Sequence, residues 1–495
     1  MNKALSNKYY LYRYRYSIGF IILALVVVGV LFFAYLHVPG GVTTEEQQSA
    51  LVRSNSIKAN DPKTWLMLDA PYHMLQKASI SFFGLSNYSI KLPSLLIGLA
   101  SALGLVLFLR HWFRDSVSII ASALTLFTAQ FVLYSQQGTP AIMHIFWPIV
   151  ILLFASFAIQ RTRFSSVAAI VTAVLAALSL YTPLSFIVLV ALICGSLLHP
   201  HVRYLLRQQK ITMLTIAAIL ALVTLVPLAY LIYKQPSIAV QLLIMQSTLS
   251  IDVLGNLKLL VAQYLDFSGL TAEKSHLLTP LFGLSTFLIL LTGAYALFRR
   301  HHTVKSYVIS AWILLLIPIL ILSPRGTSVM FVPAVLLIAV GMTAILHYWY
   351  RLFPANPYAR TFALLPLGLL VGTIAMTTLF RYYYTMQYNP AFTTRFSDDL
   401  TLISQTLRAS SDNAVVVVTE QEKELYTTFI ETHKLPVTVD TTSSSLFDSA
   451  YTGKTIIATR DSAPVKENRL PQRIVASHLA GVPSDRFYVY KNNAD

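Results

Sequence analysis

The sequence predicts a polytopic α-helical membrane protein of about 11 spans with a small α/β domain at its C-terminus. Three observations lead there. The 495 residues are 55% hydrophobic and 12% charged, with a mean hydropathy of +0.62, a balance foreign to soluble domains. Apolar runs approaching the about 20 residues that cross a bilayer recur between Met1 and Arg395. From Phe396 onward the pattern changes to short β-branched runs and amphipathic stretches.

The first run, residues 17–38, follows Lys3, Lys8, Arg13 and Arg15. It is longer than the core of a signal peptide, and His37-Val38-Pro39-Gly40 is a poor cleavage site. It reads as a retained span with a cytoplasmic N-terminus. Further spans read as 90–109, 116–134, 141–159, 167–181, 183–198, 211–233, 277–298, 307–322, 328–348 and 361–380. Residues 167–198 read as two crossings hinged at Thr182-Pro183. A single crossing would turn the basic stretch 199–210 outward, against the positive-inside bias. The odd count then places the C-terminus outside the cell membrane.

The formal charge of +16 is unevenly spread. Residues 396–495 hold 10 Lys and Arg against 13 Asp and Glu, whereas residues 1–395 hold 27 against eight, a net of +19. Most of these cations lie in short segments between apolar runs, where they set membrane topology, so a nucleic-acid partner is not expected. The single cysteine, Cys194, allows no intrachain disulfide and reads as a small buried hydrophobe. The histidines lack metal-site company, so neither a metal nor a cofactor is expected. His144, inside a span, reads as a partner either for a neighbouring helix or for a substrate.

Two expected outer loops are long, 39–89 and 234–276. The first contains two stretches with amphipathic helical spacing, 44–54 and 71–83, suited to lying along a membrane surface. In the C-terminal part, 414–418, 455–458 and 487–490 read as strands and 420–432 as a helix. The expected division is a membrane domain, 1–395, and a soluble α/β domain, 396–495, which lacks a phosphate loop and a paired catalytic motif. Acids are scarce in the membrane part. Four of its eight, Glu45, Glu46, Asp61 and Asp69, lie in one loop. Ionisable groups kept beside a bilayer usually serve chemistry or transport.

Several landmarks stand in order. The first span ends in Pro39-Gly40-Gly41 and the pair Glu45-Glu46. Ala70-Pro71-Tyr72 follows, then Phe83-Gly84-Leu85-Ser86 leading into Ile90-Lys91-Leu92-Pro93-Ser94, Tyr134-Ser135, and finally Pro324-Arg325-Gly326 with Phe331-Val332-Pro333. This series resembles the GT-C glycosyltransferases that use polyprenyl-phosphate sugars, closest to bacterial glycosyltransferase family 39 and protein O-mannosyltransferase-like proteins. The resemblance implies a GT-C-like membrane domain. It also implies inverting transfer from a polyprenyl-phosphate-linked sugar to a protein, lipid or cell-wall glycan acceptor on the extracytoplasmic face.

Such a reaction needs a carboxylate to take the proton of the attacking hydroxyl and positive charge beside the departing phosphate. The family's base, usually Asp, falls on Glu45, one methylene longer. Glu46 is either a helper or part of the start of the surface helix. Read locally, both acids simply favour a helix N-terminus, with Thr43 or Thr44 as cap. Arg325, Asp69, Tyr72 and Gln136, at or beside the matched landmarks, are substrate-binding candidates, and Lys91 and Lys274 join them because, like Lys234, they face the same side. Departures are equally specific. Many relatives carry Lys at Ala70, Arg at Gln136 and a second acid near Gln137-Gly138-Thr139-Pro140. Two other classes therefore stand beside a transferase: an inactive or scaffold homologue of the fold, and a lipid or solute transporter. Against transport, no acid lies deep in a span and no internal repeat is visible.

Overall fold

The computed structural model describes residues 10–38, 40–57, 61–160, 164–209, 211–245, 252–266, 271–272, 278–299, 302–322, 324–352, 357–409, 414–441, 453–462, 470–479 and 483–491. Helices dominate up to Tyr388, and each apolar run has a helical counterpart. Seven helices are long and apolar enough to cross a membrane, or nine if each of two bent pairs is one span. The other two expected crossings are the Ser165–Ser179 and Leu284–Arg299 helices, of 15 and 16 residues. At 1.5 Å per residue they rise about 22–24 Å, short of a hydrocarbon core of about 30 Å. Eleven spans are therefore not confirmed. The apolar pattern outruns the helix at Pro280, which precedes the Leu284–Arg299 helix, and at Ser179, where the chain leaves the helix for the Thr182-Pro183 turn.

The bends have local causes. Between Asp115–Leu126 and Ala129–Gln136 the axis turns by 66°. Thr128 starts a new helix there: its hydroxyl accepts from the Phe131 N–H at 3.4 Å and donates to the Thr125 carbonyl at 2.7 Å. Pro200 opens a second helix after His199, and the axis turns by 94°. The Leu284–Arg299 and Phe331–Leu352 helices cross at Gly293 and Gly341. A Cβ at Gly293 would lie 1.9 Å from the Leu337 carbonyl oxygen, and one at Gly341 would lie 2.3 Å from that of Ile289. Two backbones can meet this closely only where side chains are missing. Cys194, expected to be buried, is exposed. Its apolar run faces outward from the bundle on one side, and periodicity alone does not separate burial in lipid from burial in protein. His144 bonds within the bundle, to the Pro183 carbonyl at 3.1 Å and the Ser328 hydroxyl at 2.8 Å.

The C-terminal part is built on a five-stranded sheet. Its spatial order is Thr438–Asp440, Ala414–Val417, Thr455–Thr459, Asp485–Lys491, Arg473–Ala476, the first three parallel and the last two joined antiparallel. Val415, Val416 and Val417 are buried, as a run apolar on both faces requires. Asp399 receives two bonds from the Arg486 guanidinium, at 2.7 and 2.5 Å, the fork geometry of a strong ion pair. That pairing pushes the Arg486 pKa further up.

This unit is joined to the first loop rather than hung from the bundle. Val42–Thr43 pairs antiparallel with Phe396–Ser397. Asn87 donates to the Thr401 hydroxyl at 2.9 Å. A Cβ at Gly41 would meet the Ser397 carbonyl oxygen at 2.6 Å, and one at Gly84, whose φ is +75°, would meet the His433 ring at 2.8 Å. Val42, Ala50, Ile80, Leu85 and Ile90 share one apolar core with Leu400, Ile403, Val416 and Phe429.

Candidate active site

The acidic loop begins with a capping box. The Thr43 hydroxyl accepts from the Glu46 N–H at 3.2 Å, and Glu46 Oε2 accepts from the Thr43 N–H at 2.6 Å. This starts the Thr44–Gln48 helix, which continues as a π-helical turn over Ser49–Ser54. The turn separates the two acids completely. Glu45 is exposed on the first turn, while Glu46 is fully buried.

Glu46 organises what lies behind the loop. Its Oε1 accepts from the Gly138 N–H at 2.5 Å. Gly138 has to be glycine, because a Cβ there would approach Ile90 Cγ2 to 2.6 Å. Gln76, on the Ala70–Phe83 surface helix, donates to the carbonyls of Ile90 at 3.1 Å and Gly138 at 3.0 Å. Its own carbonyl accepts from Ser49 at 2.9 Å and Ser54 at 2.6 Å. The Tyr72 hydroxyl meets Ser94 at 2.8 Å, and Ser94 reaches the Gln137 carbonyl at 2.5 Å. Burial drives the Tyr72 phenol pKa up, so it stays neutral. The Lys91 ammonium donates to the Gly41 carbonyl and lies 5.8 Å from the centroid of the Phe396 ring. Gln136 donates to the Tyr382 hydroxyl.

The structure thus buries Glu46, Tyr72, Lys91 and Gln136 behind the loop, each with at least one hydrogen-bond partner in the protein, while the Gln136 side-chain carbonyl has none among the described residues. Arg325 stands in the 3-10 turn Pro324–Met330, and only its backbone is described. Lys274 lies outside the described residues. Lys234 is exposed, its ammonium 5.8 Å from the Tyr230 ring centroid.

Asp69 is separate and unusual. It precedes the surface helix in a left-handed conformation, φ +53°, an infrequent setting that Asp tolerates better than most side chains. Its N–H donates to the Tyr181 carbonyl at 2.9 Å, and its own carbonyl accepts from Tyr72 and His73 at 2.9 and 3.1 Å. The carboxyl is buried. That burial raises its pKa to about 7, against the opposing pull of a Thr182 hydrogen bond and the Arg53 charge. Burial also lowers neighbouring His73 to about 4, assisted by Arg53, leaving the ring neutral at pH 7. A carboxyl raised from 3.8 to about 7 opposes folding once it must ionise. Relative to the unfolded chain, that cost is absent below pH 3.8 and grows towards its full size as pH rises to about 7. Asp69→Asn should therefore raise thermal stability at pH 8 by up to about 4 kcal/mol and change little at pH 4. Melting curves in detergent at both pH values check this; equal effects at the two would show that ionisation is not the cause.

Sequence reasoning missed Arg381. A groove of about 280 Å³ opens between the Leu284–Arg299 and Pro357–Tyr388 helices and the bend at Thr128. Thr373, Thr377, Thr378 and Arg381 line it. Arg381 is next in sequence to Tyr382, the partner of Gln136. The available signal was the spacing Thr373, Thr377, Arg381, a polar stripe at i, i+4, i+8 in an otherwise apolar span.

Among solved structures, ArnT from Cupriavidus metallidurans in the apo state is similar over 96% of this chain and 98% of its own, at 13% identity and a TM-score of 0.56. The same protein bound to undecaprenyl phosphate is similar over 96% and 98%, at 14% identity and a TM-score of 0.56. The chain has the GT-C fold. A third GT-C structure, the Archaeoglobus fulgidus oligosaccharyltransferase tethered with an acceptor peptide, is similar over 87% of this chain and 64% of its own, at 13% identity and a TM-score of 0.52. Residues 71–231, about a third of the chain, match the family described as dolichyl-phosphate-mannose-protein mannosyltransferase. No curated protein matches the sequence. The GT-C fold agrees with the sequence expectation of a helical membrane domain followed by a small C-terminal α/β part.

Proposed function

We propose that this GT-C chain is a membrane glycosyltransferase that moves a sugar from a polyprenyl-phosphate donor to an acceptor hydroxyl on the extracytoplasmic face, with inversion. In this reading the Glu45 carboxylate takes the acceptor's proton as its oxygen attacks the anomeric carbon. The bond from that carbon to the phosphate oxygen breaks, and the polyprenyl phosphate leaves with the electron pair. The observation that carries the proposal is the division of the acidic pair. Glu46 is committed to two backbone N–H groups and holds the loop, while Glu45 stands exposed one residue earlier.

Arg381 supplies the positive charge the leaving phosphate requires. Its groove lies along helices that face lipid, so a prenyl tail can stay in the bilayer while the phosphate meets the guanidinium and the threonine hydroxyls. The similar structure bound to undecaprenyl phosphate supports a donor of this class. The acceptor is a protein, lipid or cell-wall glycan. The N-terminus is cytoplasmic in this reading and the C-terminal unit external. The remaining substrate contacts fall to Arg325 and Lys274, while Tyr72 and Asp69 are buried and support the surface helix from behind.

Arg381→Ala should weaken use of a polyprenyl-phosphate sugar by about tenfold or more, chiefly through donor KM, since it removes a charge-assisted bond to phosphate. Undiminished donor use by Arg381→Ala would move the phosphate elsewhere. One observation favours a second reading, a homologue that binds donor without transferring it: Ala70 and Gln136, where relatives carry cations, are buried. Donor binding by the wild type, with no transfer to any acceptor offered, would select that reading.

A further inference from the structure

A second polar cavity lies at the other end of the bundle. It occupies about 480 Å³ between the Leu284–Arg299, Val304–Leu322 and Phe331–Leu352 helices. Phe113, just past the end of the Asn87–Trp112 helix, also lines it. Lys91 sits near the start of that helix, so the cavity is removed from the acidic loop by about 33 Å of helix at 1.5 Å per residue.

Arg299, Lys305, His347 and Arg351 line the cavity, together with the hydroxyls of Thr303 and Ser306; among the described residues no acid does. The contacts of Lys305 and Arg299 are with uncharged groups. Lys305 donates to the Trp112 carbonyl, and its ammonium lies 4.0 Å from the Phe113 ring centroid. The Arg299 guanidinium lies 5.5 Å from the Tyr295 ring centroid. A carbonyl and two ring faces attract cations but carry no net charge. Arg299 and Arg351 are exposed at the ends of their helices, so an anion can reach all three cations, and like charges gathered in one recess repel unless an anion joins them. The surroundings are apolar and lipid-facing: Phe298, Leu314 and Leu352, on the same three helices, are exposed. Tyr295 and Tyr348, also exposed, are the residue type that settles at headgroup depth.

We propose that this cavity binds the phosphate of an anionic membrane phospholipid, whose acyl chains lie along the exposed apolar faces of the three helices. The guanidinium groups of Arg299 and Arg351 and the Lys305 ammonium contact the phosphate, and Thr303 and Ser306 donate from the floor. Clustered cations between helix ends are the usual setting for such headgroups. The exposed apolar flank distinguishes a lipid from free phosphate.

The test uses the purified full chain in detergent, titrated with phosphatidylglycerol, phosphatidylcholine or inorganic phosphate and read by native mass spectrometry and melting temperature. The wild type should bind phosphatidylglycerol at least about tenfold more tightly than phosphatidylcholine, and the doubly substituted Arg299→Gln, Arg351→Gln chain should lose about tenfold or more of that affinity. Its melting temperature in phosphatidylcholine should be unchanged. The charge-keeping Arg299→Lys, Arg351→Lys chain should retain most of the binding, which separates lost charge from a damaged fold. Equal binding of the two lipids, or wild-type affinity in the Gln chain, would overturn the proposal. Inorganic phosphate that raised the melting temperature as much as phosphatidylglycerol would overturn the lipid as ligand.

Discussion

Glu45→Gln should reduce transfer from a polyprenyl-phosphate sugar by about 10²–10⁴-fold, the usual cost of losing a general base. The amide keeps the size of the carboxyl but cannot accept the acceptor's proton as the hydroxyl attacks. The change should leave folding almost intact. Glu45 is exposed, and an acid on a first helical turn contributes only about 0.3–1 kcal/mol through the dipole. Donor binding should persist, because the proton is taken from the acceptor and the phosphate is held by other groups. The measurement is kcat with a verified donor and acceptor, beside a melting curve and a donor-binding isotherm. Full activity in Glu45→Gln would remove it as the base.

Its neighbour should behave in the opposite way. Glu46→Ala leaves the N–H groups of Thr43 and Gly138 without the acceptor each now has, at 2.6 and 2.5 Å. Each such N–H costs about 1–3 kcal/mol when buried. The loss is compounded because the Glu46 carboxylate links the acidic loop to the turn that follows the Ala129–Gln136 helix. A large fall in melting temperature is expected, with activity falling as the folded fraction falls. Glu46→Gln should be intermediate, since the amide keeps one acceptor and turns an NH₂ towards an N–H. If Glu46→Gln kept its melting temperature yet lost transfer by about 10²-fold, the two acids would exchange roles and Glu46 would be the base. The pair of measurements therefore separates chemistry from architecture within two adjacent residues.

Much of this arrangement was legible in the sequence, for a physical reason common to the legible parts. Apolar runs, the amphipathic stretches 44–54 and 71–83, and the β-branched run at Ala414 report on spacing within a few residues. Local periodicity alone decides which face of a helix or strand is apolar. The acidic pair at the end of the first span was likewise visible, as was its helix cap, with Thr43 or Thr44 as candidates.

Contacts between distant segments decided the rest. Thr43 became the cap because Val42–Thr43 is held extended against Phe396–Ser397, more than 350 residues away in sequence. Glu46 became buried and bonded to Gly138 because that turn offers its N–H there, and no local pattern couples positions so far apart. The Arg381 groove, the crossing at Gly293 and Gly341 and the left-handed Asp69 arise the same way. Each depends on which surfaces meet when helices pack, and that is set by ridges, small residues and backbone approach rather than by hydropathy. The span count fell between the two. Hydropathy marked eleven apolar runs, one of them, 167–181, already short, but only the folded chain shows that the run 277–298 becomes a helix of 16 residues beginning after Pro280. The sequence by itself determined a helical membrane domain, a small α/β addition and an acidic loop between spans. Tertiary structure alone decided which acid is exposed and which is locked, because burial is a property of the packed surfaces and not of the residue.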